Sequence, residues 1–334
     1  MKTRYYIIIT LAVVLSASAF FYLSYAYNLK RQEALKFFSA YFKPEFKAVT
    51  RSYTKKDIVE YKKEAASGNP SAEFNLGNAY LRGSSVEKNY SKAAYWLKKA
   101  ALQKNPLAEM ELGGLYIKGL GVKKDAAKGI DLLKKAARQG DAFGEISLAG
   151  AYFRGVGVPK NYSKGIFWTK KAAEGENVFA EIALGVFYEK GMFVKQNSAE
   201  AAYWFKKAAG SGDPKAQMMM GALYQKGIGV KKNYSKAVYW FHKAALQGDA
   251  NAQVFMARSY YLGRGVKKNY VKAFYWSKKA AVQGNSEGEL ELGAMYYSGH
   301  GVSQSTSNAL YWTQRSAAQG NANAKTFLNE IGNK

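Results

Sequence analysis

Few side chains in this sequence have the type and spacing that catalysis needs. The 334 residues include two histidines, His242 and His300, and no cysteine. Neither histidine has a metal-ligating residue at i+3 or i+4, so neither starts a helix-borne metal site. Without thiols there is no cysteine nucleophile, no thiolate metal site, no disulfide and no lipid-modified cysteine. Gly-x-Gly sequences recur without a strand before them, which excludes a dinucleotide-binding fingerprint. No Walker loop or nucleophile elbow is present. One set of carboxylates does stand in register: Glu73, Glu109, Glu145, Glu181 and Glu289. A catalytic carboxylate is needed once, so one that returns at a fixed interval reads as structural. These observations point to a protein that is not an enzyme and holds no cofactor or metal.

Charge is the other chemical signal. The chain has 50 basic and 24 acidic residues, a formal charge of +26, and 41 of the basic residues are lysine. That balance calls for an anionic partner: a membrane surface, a nucleic acid, an acidic glycan or an acidic protein. Lys99, Lys135, Lys171, Lys207, Lys243, Lys279 and Arg315 form one unbroken column, with Lys98, Lys134, Lys170, Lys206 and Lys278 beside it. Such a column is either a basic strip for lipid headgroups, glycan or nucleic acid, or a solvated face. In the second case each lysine favours its helix C-terminus by roughly 0.3–1 kcal/mol.

The elements that carry these residues follow from one period. Every 36 residues the sequence matches itself without insertion or deletion. Leu or Met recurs from Leu76 through Met220 and Met256 to Leu328, and Tyr recurs from Tyr80 to Tyr296. Gly follows from Gly83 to Gly299, and Val from Val86 to Val302. All six tryptophans share a column at Trp96, Trp168, Trp204, Trp240, Trp276 and Trp312, with Leu132 in the second copy. In the first copy Ala72, Leu76, Gly77 and Tyr80 keep helical spacing, and Gly83 terminates that helix. A second helix follows Asn89, Asp125, Asn161, Asn197, Asn233 and Asn269, all strong N-cap residues. It runs through Ala93, Trp96 and Ala100-Ala101 and stops at glycines such as Gly140 and Gly248. We name these helix A and helix B. Capping also explains the asparagines of three Asn-Tyr-Ser triplets (at Asn89, Asn161 and Asn233) that match a glycosylation pattern. One pair cannot bury its own apolar side, so the pairs must stack, with the tyrosine and tryptophan columns assigned to the inter-helix core.

The string Leu-Gly-x-x-Tyr-x-x-Gly-x-Gly-Val, a capping Asn or Asp, then Lys-Ala-x-x-Trp-x-x-Lys-Ala-Ala-x-x-Gly resembles the Sel1-like repeat family. Residues 217–248 carry it most fully, with Leu223-Tyr224, Gly227, Gly229-Val230, Asn233-Tyr234, Lys236-Ala237, Trp240, Lys243-Ala244-Ala245 and Gly248. The resemblance covers about 68 to 331. It implies an all-α, right-handed superhelical solenoid of seven 36-residue helix-turn-helix repeats, related to tetratricopeptide arrays. It also implies an adaptor role and does not choose among the family's settings. Some copies depart from the pattern: Ser84-Ser85 and Met192-Phe193 replace x-Gly, Glu200 replaces a lysine, and Ala126 replaces the tyrosine at Tyr90. Each departure is either a bend or partner contact, or drift in a tolerant fold.

The expected organisation is a signal or anchor segment (1–27), a basic juxtamembrane linker (28–54), a capping helix (55–68), seven repeats (69–320) and a C-terminal capping helix (321–334). Lys2 and Arg4 precede an uncharged run from Tyr5 to Tyr27, long enough to cross a bilayer. A cleaved signal peptide fits the small residues Ala17-Ser18-Ala19. An uncleaved anchor fits better, because apolarity continues through Phe20 to Leu23 before Lys30 and Arg31 close the span. Either way the repeats are expected outside the cytoplasm, in the cell envelope, or secreted after cleavage. Nucleic acid is disfavoured on that ground. Phe37, Phe38, Tyr41 and Phe42 in the linker suit either the bilayer surface or packing on the cap.

Two surfaces remain for binding. On helix A the i, i+3, i+7 set equivalent to 75, 78 and 82 shares one side. It holds Asn75, Asn78, Arg82, Glu111, Lys118, Arg154, Lys190, Met219, Lys226, Phe255 and Arg258. The resemblance places that side in the concave groove, and Phe255 and Met219 are the expected exposed anchors for a protein partner. The alternative surface is the lysine column of helix B, facing an anionic glycan, lipid headgroups or a similar polymer.

Overall fold

The computed structural model describes residues 53–332. The expected membrane segment and nearly all of the linker lie outside these residues, as do Asn333 and Lys334. Among the described residues no helix is long and apolar enough to cross a membrane. The described residues form sixteen helices and no strand, and they fall into two units, Met1–Gln196 and Asn197–Lys334. Unit 1 holds α1 (Lys55–Ala66), α2 (Pro70–Arg82), α3 (Tyr90–Leu102), α4 (Pro106–Lys118), α5 (Ala126–Arg138), α6 (Ala142–Arg154), α7 (Tyr162–Glu174) and α8 (Val178–Lys190). Unit 2 holds α9 (Ser198–Gly210), α10 (Pro214–Lys226), α11 (Tyr234–Leu246), α12 (Ala250–Leu262), α13 (Tyr270–Val282), α14 (Ser286–Ser298), α15 (Thr306–Ala318) and α16 (Ala322–Gly332).

Side-chain chemistry sets the helix ends. Six of the seven B helices begin at the expected cap and α15 begins at Ser305; the Asn89, Asn161 and Asn233 side chains each accept the backbone N–H three residues on at 2.9 Å. Helix A is capped in the same way by Asn69, Asn105, Asp141, Asn177, Asp213, Asp249 and Asn285. Each helix A ends on a glycine in the left-handed region, as at Gly227 with φ 76°.

The second glycine of the turn answers a different constraint. A Cβ on Gly121 would lie 2.2 Å from the Tyr90 carbonyl oxygen, and one on Gly229 would lie 1.9 Å from that of Ser198. The turn therefore abuts the backbone at the start of the preceding helix B, and at these two positions only glycine fits without a shift. Ser85 escapes this because no repeat precedes it. It sits at φ 56°, and its hydroxyl donates to the Tyr53 carbonyl at 2.6 Å. Phe193 takes the same position at φ 62° and stacks on Tyr162 at 4.7 Å.

The core corrects one expectation. Trp204 and Trp276 are buried, but Trp96, Trp168, Trp240 and Trp312 are only half-buried. The residue after each tryptophan takes the centre: Leu97, Leu133, Thr169, Phe205, Phe241, Ser277 and Thr313 are all buried. Opposite them helix A puts a small residue. A Cβ on Gly77 would come within 2.8 Å of Leu97, and one on Gly221 within 2.4 Å of Phe241. Where helix A carries alanine instead, at Ala149 and Ala257, helix B carries the smaller Thr169 and Ser277.

Three members of the glutamate column, Glu73, Glu109 and Glu289, tie helices together. Gln103, Gln139 and Gln319 donate to Glu73, Glu109 and Glu289 at 2.7–2.9 Å, tying the start of helix A to the end of helix B. In two copies of unit 2 a glutamine replaces the carboxylate, and Gln247 and Gln283 donate to Gln217 and Gln253.

This packing generates a double-mutant prediction. Gly221→Ala alone lowers stability by about 1–3 kcal/mol, the usual penalty of overpacking. Combined with Phe241→Ser, which reproduces the natural Ala257–Ser277 pair, the added penalty of alanine falls below about 0.5 kcal/mol. Denaturant unfolding of the four chains measures the coupling.

Candidate partner-binding surfaces

In each unit part of the helix A side is hollow. In unit 1, helices α2, α4 and α6 enclose a groove of about 550 Å³. Leu81, Met110, Leu115 and Ile146 give it an apolar floor, and Arg82, Glu111, Lys118, Ser147 and Arg154 stand around it. Gly114 opens the middle: a Cβ there would meet nothing within 4 Å.

The charges of this groove are unevenly paired. The Arg82 side chain lies 3.8 Å from the Glu111 carboxylate and donates to the Asn78 amide oxygen. Burial pushes the Glu111 carboxyl upward, with Arg82 and Lys118 opposing. Arg154 has neither an acidic nor a hydrogen-bonding partner among the described residues. Arg154 is exposed to solvent, and partial desolvation by the groove beside it lowers its pKa.

The groove of unit 2, about 370 Å³, is lined by Ala257, Arg258, Tyr261, Ser277, Glu291 and Met295 among others. Here the arginine is satisfied. Arg258 bonds Glu287 at 2.5 Å and also bonds Glu291. The Ser277 hydroxyl donates to Glu291 at 3.3 Å. Burial raises the Glu291 carboxyl to about 7 against the opposing pull of Arg258. Nearby, Tyr261 and His300 share a hydrogen bond at 2.9 Å, and His300 stacks on Tyr270 at 4.4 Å. No group of three or more His, Asp or Glu residues among those described is placed to hold a metal ion.

Several expected contact residues are placed differently. Asn78 is buried and serves Arg82 rather than a partner. Phe255 is not an exposed anchor: its ring stacks on buried Phe241 at 4.5 Å and 5°, because the side chain leans toward helix B. Met219 is half-buried, and Asn75 is half-buried beside the Tyr53 hydroxyl at 3.4 Å. Lys190 and Lys226 are exposed and line neither groove. Arg82, Glu111, Lys118 and Arg154 come together in unit 1, and Arg258 lies in the groove of unit 2.

The lysine column lies against the tryptophans. Lys99, Lys207, Lys243, Lys279 and Arg315 each sit 5.1–5.6 Å from the ring of the tryptophan three residues before. Lys135 pairs with Asp131 at 3.3 Å, and Lys171 is exposed. Comparing columns for identity missed a further one, the residue just before each tryptophan. Tyr95, Phe167, Tyr203, Tyr239, Tyr275 and Tyr311 are all about half exposed.

Comparison with known proteins bears on these surfaces. The Sel1 repeat model matches residues 70–105, 106–141, 143–177, 178–213, 214–249, 250–285 and 286–321. The chain belongs to the Sel1-repeat family. A similar solved structure is c5321, described as a protective antigen present in uropathogenic Escherichia coli strains displaying an SLR fold. It is 35% identical, with a TM-score of 0.74 over 90% of this chain and 64% of that one. A Sel1 repeat protein from Oxalobacter formigenes is 31% identical, with a TM-score of 0.62 over 82% of this chain and 80% of that one. The chain thus spans less than two thirds of the Escherichia coli antigen. A comparison with curated proteins gave no match. Sel1-repeat solenoids are typically protein–protein interaction scaffolds and are generally non-catalytic.

The Glu291 carboxyl yields a pH prediction for this Sel1-repeat chain. Its folded pKa is raised above the ordinary value of 4.5 to about 7, so between these pH values the folded chain holds the extra proton. Stability from this group is therefore present below about pH 4.5 and falls as pH rises through about 7. The full span is of the order of 3 kcal/mol. Glu291→Gln should flatten that part of the stability curve, which denaturant unfolding of both chains from pH 4 to 8 will read.

Proposed function

We propose that this chain is a non-catalytic adaptor of the cell envelope that holds a protein partner in the helix A groove of repeats 1 to 3. The observation that carries this reading is Arg154. A guanidinium that is partly desolvated and has no counter-charge gains when a carboxylate arrives, because the new charge-assisted bond replaces lost hydration. The groove around it is apolar, opened by Gly114, and rimmed by further cations at Arg82 and Lys118. An acidic segment of a partner with an apolar side chain beside its carboxylate suits both features. Arg258 offers no such vacancy, since Glu287 and Glu291 already engage it.

The envelope location rests on the sequence. Lys2 and Arg4 ahead of the uncharged Tyr5–Tyr27 run support an anchor that keeps the repeats on the far side of the membrane.

The test is a photo-crosslinking residue at Ser147, with the captured polypeptide identified and its affinity measured using purified proteins. Arg154→Glu should weaken binding by about tenfold or more, the effect of roughly 1.4 kcal/mol or greater for a charge-assisted contact. Lys226→Glu, outside the groove, should leave affinity unchanged. Unaltered binding by the Arg154 variant would refute this placement.

A further inference from the structure

We propose that the outward side of helix B in unit 2, centred on α13, docks on an anionic lipid bilayer. This surface is separate from the helix A groove, and the inference stands without the adaptor reading.

Solvent-facing residues of a helix are ordinarily polar, with charges of both signs. The exposed residues of α13 are Val271, Lys272, Tyr275, Lys278, Lys279 and Val282. They recur at helical spacing along one face. Every one is basic or large and apolar. Val271 and Val282 are 66% and 67% exposed, and Tyr275 is 49% exposed, so the described part of the fold does not bury them. The preceding helix B shares much of the arrangement, with Lys236, Tyr239, His242, Lys243 and Leu246 exposed on α11 and Ser235 in place of Val271. The two helices are neighbours, since the His242 ring lies 5.9 Å from that of Trp276. Neither α11, α13 nor α15 contains an acidic residue. Beside Tyr275, Lys278, Lys279 and Val282 lies a shallow hollow of about 550 Å³, completed by Gln253 and Gln283.

Solenoid stacking does not require this composition. Tyr275 meets Trp276 edge-on at 5.1 Å and Lys279 at 5.0 Å, both from its own helix. In the second repeat Asp131 occupies the tyrosine column, and its helix pair packs around Leu133 as the others do.

Lysines alone would suit any polyanion. The valines and Leu246 distinguish the occupant, because an acidic glycan or nucleic acid gains nothing from exposed aliphatic groups. A bilayer interface takes all three classes at once. Aliphatic side chains enter the acyl boundary, tyrosines sit at headgroup depth, and lysines extend to the phosphates.

The tryptophans supply the probe. All six lie in the helix B column and none occurs in residues 1–52. Tryptophan quenching therefore reports the solenoid alone, whatever the N-terminal segment does. The full chain is reconstituted into vesicles of phosphatidylcholine, with and without 30 mol% phosphatidylglycerol, both containing a lipid with a headgroup nitroxide. The wild type should lose about a third of its emission on anionic vesicles, the share of two rings in six, and regain it in high salt. Two variants should each abolish the extra quenching while keeping helicity: Lys278→Glu with Lys279→Glu, and Val271→Ser with Tyr275→Ser and Val282→Ser. Equal quenching of the wild type on both vesicle types overturns the proposal. So does wild-type quenching in the apolar variant, which would assign the lysines to a polyanion instead.

Discussion

The fold depends on how closely helix A can approach helix B within a repeat. That distance is set where Gly77 faces Leu97 and Gly221 faces Phe241. A missing Cβ on one helix receives a buried side chain from the other, so the pair locks at one separation and register. Where alanine replaces the glycine, Ser277 or Thr169 shrinks the opposing side by a compensating amount. The remaining features follow from a fixed pair: the turn that favours glycine at its second position, and the Gln–Glu or Gln–Gln ties that close five of the seven repeats at their far end.

Because the pairs are alike, distinction arises only on the two sides that packing leaves open. On the helix A side, neighbouring repeats in each unit form a groove, yet the two grooves differ in charge. Arg258 is held by two carboxylates and turned inward to the protein's own network. Arg154 sits in a comparable position with no carboxylate beside it among the described residues, and Gly114 clears space next to it. On the helix B side the same architecture presents lysines stacked over rings. It adds exposed aliphatic residues, Leu102 in unit 1 and Leu246, Val271 and Val282 in unit 2, that no described neighbour covers. A scaffold built from one repeated unit can thus carry two recognition chemistries, one for a protein segment and one for a surface.

Much of this was legible in the sequence. The 36-residue period, the caps at Asn89 and its equivalents, and the terminating glycines each follow from a local rule with one physical cause, so columns alone place them. The assembly of Arg82, Glu111, Lys118 and Arg154 on one side followed from helical spacing. Other features needed the packed structure. Phe255 occupies a register that faces outward on an ideal helix, but its ring packs on Phe241. The tryptophans draw attention by size, whereas the central position belongs to the next residue, because only that one points along the A–B axis. Nor could spacing reveal that Arg154 lacks a partner among the described residues while Arg258 has two, since both carboxylates that hold Arg258 come from the following repeat. The exposed tyrosines were within reach: a helical projection of Tyr275, Lys278, Lys279 and Val282 would have put them on one face.

The central claim is that partner recognition resides in the helix A groove of unit 1. Hydrogen–deuterium exchange of the full chain, free and bound to the crosslinked partner, tests it most directly. Slowed exchange in α4 and α6, over residues 106–118 and 142–154, with α12 and α14 unchanged, is the result expected. Protection confined to α12 and α14, or to helix B alone, would contradict it.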